Sequence, residues 1–117
     1  MEKSDAVAAL AALAQDSRLD VFRVLVQAGP EGLPAGQVAT ALDIAPNNLT
    51  FHFDRLRSAE LVTVRREGRS MIYAARFETM NALLSYLTKN CCEGAAKSCA
   101  PAACRPMRTS KRKKVLA

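Results

Sequence analysis

The sequence predicts a mainly helical fold with one small β-hairpin. Apolar residues recur at helical spacing in five segments, and two β-rich runs flank Glu67-Gly68 between the fourth and the fifth. Gly29-Pro30, Pro34 and Pro46 fall at segment boundaries, where they stop or start helices. With 117 residues, 50% of them apolar, the chain suits one compact domain. No apolar run approaches the roughly 18 residues that span a bilayer. Met1 to Asp5 lead into an Ala/Leu stretch without a signal-peptide layout, so a cytoplasmic location is expected.

The first helix is expected over 5–15, with Val7, Leu10, Ala11, Leu13 and Ala14 as its apolar positions and Ser4 as its cap. Asp16 or Ser17 caps a second helix, on which Leu19, Phe22, Leu25 and Val26 share a face before Gly29-Pro30 ends it. Pro34 suits the first turn of a short third helix with Val38, Ala39 and Leu42 inward. After Asp43-Ile44-Ala45, Pro46 opens a fourth helix, Asn47 to Ser58, that turns Leu49, Phe53 and Leu56 inward. LVTVRR and RSMIYAA then form the hairpin about Glu67-Gly68. A fifth helix, roughly Glu78 to Asn90, carries Met80, Leu83, Leu84 and Leu87 on one stripe. Periodicity is lost from Cys91 onward, and Gly94 to Ala117 reads as a flexible basic extension.

Two short helices joined by a tight turn and followed by a basic hairpin are the arrangement of a winged helix-turn-helix, which reads DNA. The formal net charge of +6 supports this only weakly, because seven bases and no acid lie beyond Glu93. Residues 1–93 carry 10 bases against 11 acids. Within that near-neutral part, Asp54 to Arg76 hold six arginines and three acids, a local excess of three. The basic tail has two readings, a solubilising extension or an arm that grips phosphates.

On the fourth helix the residues facing away from the core include Asn47, Asn48, Phe51, Asp54 and Arg55, with Thr50 and His52 on the flanks. Asn pairs with adenine edges, Thr and Phe touch thymine methyls, and Arg binds guanine or phosphate. Asn47, Asn48, Thr50, His52 and Arg55 are therefore the candidate DNA contacts on this helix. Helix-start capping is the competing role for the Asn pair. Arg65, Arg66 and Arg69 around the hairpin tip suit a wing lying over the phosphate backbone or minor groove. No acid–base pair, nucleophile constellation or phosphate-binding loop is found, so no enzymatic activity is expected.

Cys91, Cys92, Cys99 and Cys104 fall within 14 residues. In a reducing compartment such a cluster reads as metal or redox chemistry before it reads as structural disulfides. Thiolates select soft centres, and a single histidine excludes a His-based site. Adjacent side chains on a continuous helix splay by about 100°, so convergence of Cys91 and Cys92 needs a frayed helix end.

The string LDIAPNNLTFHFDRLRSAELV followed by REGRSMIYAA resembles the helix-turn-helix and wing of the ArsR/SmtB metal-responsive repressors, over about residues 7–92. The resemblance implies a homodimer formed by the first and last helices. It also implies binding to an imperfect inverted repeat in double-stranded operator DNA, with release by a metal or metalloid. Two sites of that family are missing: LPAGQVATALD has no Cys-x-Cys, and Phe77 to Asn90 has no His. The string NCC instead resembles a subgroup of arsenic repressors whose trivalent arsenic site uses an adjacent Cys pair and a third Cys further on. On that resemblance Cys91, Cys92 and Cys99 are the metalloid ligands, and Cys104 is spare or exchanges with Cys99. Arsenite is the implied inducer, antimonite and methylarsenite are further candidates, and an arsenic-resistance operon is the implied target. Residues 1–92 then form the DNA-binding and dimerisation domain, and 93–117 a flexible Cys-containing tail. The residues themselves also leave open a soft divalent metal (Cd, Pb or Zn), a site using only the Cys pair, a thiol redox switch, and cysteines without a role.

Overall fold

In a computed structural model of the chain, residues 1–94 are described. Eight elements follow in order: α1 (Lys3–Leu13), α2 (Asp16–Ala28), β1 (Leu33–Pro34), α3 (Ala35–Leu42), α4 (Pro46–Ser58), β2 (Val62–Glu67), β3 (Ser70–Ala75) and α5 (Phe77–Leu87). A single 3-10 turn, Cys91–Gly94, comes after them. Packing divides the chain after Leu83: Met1–Leu83 form one compact unit, and a second begins at Leu84. The mainly helical winged helix-turn-helix predicted from the sequence is the fold observed. Among the described residues no helix is long and apolar enough to cross a membrane.

The core of the first unit is built on α4. Leu49, Phe53 and Leu56 are buried, as the helical spacing predicts, together with Val21 and Leu25 of α2, Val38 of α3 and Leu61. The Phe53 ring lies nearly parallel to that of Tyr73 on β3, with centroids 3.7 Å apart, and so joins the helix to the sheet. Burial of these side chains contributes about 1.5–3 kcal/mol each.

Several details differ from the sequence reading. In α1 the alanines Ala6, Ala9 and Ala12 face the core, while Val7 and Leu10 are exposed. Small residues let α1 approach its neighbours closely, a geometric demand that hydrophobicity alone does not reveal. Glu2, not Ser4, caps this helix, and the Asp5 carboxylate accepts a hydrogen bond from the Glu2 backbone N–H at 3.1 Å. Gln15 caps α2 in place of Asp16 or Ser17, its side chain accepting from the Arg18 backbone N–H. Val21 takes the buried position expected of Leu19, which is exposed.

The sheet has three strands, not two. β1 pairs antiparallel with β3, giving the order β1-β3-β2. Two residues are too few to show alternation, so this strand has no sequence signature. Gly32 precedes it with φ +76, and a Cβ there would run into the Tyr73 carbonyl. In the hairpin Glu67 pairs with Ser70, so the turn is Gly68-Arg69, one residue later than expected. Gly68 supplies a positive φ at the first central position, the type II′ pattern.

The α4–β2 junction is a Schellman motif. The Leu61 N–H reaches the Leu56 carbonyl at 2.9 Å, and the Glu60 N–H reaches the Arg57 carbonyl at 2.9 Å. This places Glu60 at φ +64, where glycine is favoured. Its carboxylate lies 3.7 Å from the Arg76 guanidinium, an exposed pair of little energetic weight. Glu60→Gly is therefore expected to stabilise the protein by about 0.5–1 kcal/mol, relief of left-handed strain outweighing lost chain stiffness. Urea unfolding followed by circular dichroism measures this, and a variant less stable than the parent would contradict it.

Candidate nucleic-acid interface

Pro46 at the first helical position sets the entry of α4, with Ala45 as a cap that makes no side-chain bond. Asn47 and Asn48 are exposed and do not perform the capping role that competed with base contact. Thr50 is exposed, and its Oγ1 donates to the Pro46 carbonyl at 3.0 Å. Arg55 is exposed but not extended: its guanidinium lies over the Phe51 ring, 4.9 Å from the centroid. Phe51 is itself half exposed on this otherwise polar face. The sequence places both residues outward; the stack between them follows from their i, i+4 spacing.

His52 sits at the edge of the buried face. Its Nδ1 is enclosed and has no hydrogen-bond partner among the described residues. Burial lowers its pKa from the ordinary 6.5, and the positive charge of Arg18 lowers it further. Near neutral pH the imidazole is uncharged.

The wing arginines are not equivalent. Arg65 Nε donates to the Glu67 carboxylate at 2.7 Å, and its Nη2 donates to the Glu31 carbonyl at 2.9 Å. Arg66 makes only a long contact to the Gly68 carbonyl, 3.4 Å. Arg69 is exposed at the tip. Pairing of Arg65 with Glu67 and of Arg76 with Glu60 leaves Arg55, Arg57, Arg66 and Arg69 against Asp54. The positive excess is thus preserved in side chains with no ion-pair partner among the described residues.

Beyond α5 the backbone leaves the α-helix at Leu87, so Cys91 and Cys92 escape the splay of a continuous helix. Asn90 and Cys92 adopt positive φ, 58° and 55°. The two sulfurs lie 3.5 Å apart, with Cys91 half-buried and Cys92 exposed. Cys99 and Cys104 lie outside the described residues. Among the described residues no group of three His, Cys, Asp or Glu side chains could hold a metal.

An exposed polar helix face beside an arginine-tipped hairpin defines a winged helix-turn-helix DNA-binding protein. Residues 13–65 match the model of a family described as a helix-turn-helix domain. An uncharacterised HTH-type transcriptional regulator of Bacillus subtilis, YceK, is 33% identical over 73 residues, covering 62% of this chain and 72% of that protein. HlyU from Vibrio cholerae is 28% identical with a TM-score of 0.60, over 79% of this chain and 99% of that one. An ArsR-like regulator from Rhodococcus shares the fold at TM-score 0.67 and 22% identity, over 81% and 87% of the two chains. The chain belongs to the helix-turn-helix transcriptional regulators.

The state of His52 gives a pH signature. A base with a depressed folded-state pKa takes up its proton less readily folded than unfolded. Its contribution is therefore fully present above pH 6.5 and is lost as pH falls through the lowered folded value. The thermal midpoint should drop between about pH 7.5 and pH 5.5, and His52→Gln should reduce that drop. An equal drop in the variant would assign it to other groups.

Proposed function

We propose that this protein is a homodimeric repressor of an arsenic-resistance operon, and that it leaves its operator when trivalent arsenic or antimony binds Cys91, Cys92 and Cys99. The single observation that supports the inducer site most is the 3.5 Å separation of the Cys91 and Cys92 sulfurs. Two thiolates each about 2.3 Å from a shared centre, the length of a zinc–thiolate bond, subtend about 100° at that separation. That angle fits a pyramidal three-sulfur centre. A third thiol is available from Cys99 in sequence, and the softness of thiolates favours a metalloid over hard cations. The pair alone would serve a methylated arsenical.

Exposed apolar side chains support the dimer: Val7 and Leu10 on α1, and Leu84 and Leu87 on α5. Two half-sites one DNA turn apart fix the spacing of the two recognition helices, so a change at the dimer-forming helix weakens binding. Asn47, Asn48 and Thr50 are the proposed base readers. His52, with Nδ1 enclosed, has Nε2 left for a neutral contact to base or phosphate. Arg55, Arg65, Arg66 and Arg69 are the proposed phosphate contacts, with Arg65 the weakest because Glu67 already neutralises it. The same sulfur separation also suits thiol oxidation, which is the second reading.

Two measurements test these roles. With a labelled duplex of the chain's own promoter, Arg69→Ala should lower the slope of log affinity against log salt by about one, and Arg65→Ala by clearly less. Equal losses would refute the ranking. Arsenite should release the duplex from the parent protein and protect three thiols per subunit. Cys91→Ser and Cys92→Ser should bind DNA within about twofold of the parent yet resist release, a lost coupling of about 1–3 kcal/mol. Normal release from either variant would exclude the site, and release by peroxide but not arsenite would select the redox reading.

A further inference from the structure

A cleft of about 330 Å³ opens between α1, α2 and α4, in the size range of small-molecule sites. Ala8 and Ala11 of α1 form one wall, and Phe51, Arg55 and Ser58 of α4 form another. Arg18 of α2 reaches in, half-buried, its Nε tied to the Ala12 carbonyl at 2.7 Å. That bond fixes the guanidinium without neutralising it, because a carbonyl carries no net charge. Arg55 is held by the Phe51 ring, again without a carboxylate partner among the described residues. No residue lining the cleft is acidic.

We propose that this cleft binds a small carboxylate with an aromatic or other compact apolar body. Two fixed guanidiniums call for an anion and offer it planar, charge-assisted hydrogen bonds. The alanine methyls and the Phe51 ring call for an apolar body. A DNA phosphodiester would satisfy the charge but leave those walls wet, so the walls favour the small molecule. Arg55 belongs to the DNA-facing helix, and a carboxylate that engages it removes it from the DNA. Such a ligand therefore lowers DNA affinity through a route separate from the cysteines.

The test is a titration of the full-length protein with phenylacetate, followed residue by residue in amide NMR spectra. Saturable shifts are expected at Ala8, Ala11, Arg18, Phe51 and Ser58. Phenylacetamide, the same shape without the charge, should bind at least about tenfold more weakly. Arg18→Gln should weaken phenylacetate by about tenfold. Ala8→Leu, an exposed substitution that fills the cleft, should abolish binding with the melting curve unchanged. The Cys91→Ser/Cys92→Ser double variant should bind like the parent, which separates this site from the inducer site. Absence of saturable shifts, equal binding of the amide, or parental affinity in Ala8→Leu would overturn the proposal. Shifts produced at these residues by a short DNA duplex but not by phenylacetate would overturn it too, and would make the cleft a phosphate contact.

Discussion

The burial of Leu49, Phe53 and Leu56 on one side of α4 is the constraint on which the rest of this molecule depends. These three side chains sit a helical turn apart, and their removal from water decides which way the helix faces. Once they point inward, Asn47, Asn48, Phe51 and Arg55 can only point outward. The stacking of Phe53 on Tyr73 extends the same constraint to the sheet. It fixes the hairpin relative to the helix, so the exposed face of α4 and the wing are positioned by a single aromatic contact plus the core around it.

What the sequence revealed follows from how strongly each feature is encoded. The face of α4 was legible because a 13-residue helix with three large apolar side chains has one solution. The hairpin was legible from its β-formers and its glycine, but its register slipped by one because Glu67-Gly68 and Gly68-Arg69 are equally plausible turns until pairing decides. Strand β1 was not legible at all, since its identity lies in the partner Tyr73 and not in Leu33-Pro34. The alanine face of α1 was missed for the opposite reason: the larger Val7 and Leu10 dominate any hydrophobic pattern, while close approach selects the smaller residues.

The candidate site divides in the same way. Residue types announced the candidate DNA face and the thiol cluster. Pairing among charges did not show in the sequence, because Arg65 and Arg69 look alike until one meets Glu67 and the Glu31 carbonyl. Arg18 carried no signal either. Its importance comes from the end of α1, whose Ala12 carbonyl it reaches across six residues of sequence.

The anchoring of the wing base has a thermodynamic consequence. β1 pairs with one edge of β3, and Arg65 bonds to the loop that leads into β1, so the root of the hairpin is braced from both sides. A braced hairpin surrenders little conformational entropy when it settles on a duplex. In the proposed contact with DNA its grip then depends chiefly on ion release and little on chain ordering, which makes the ionic strength of its surroundings a direct external control on how firmly the wing holds.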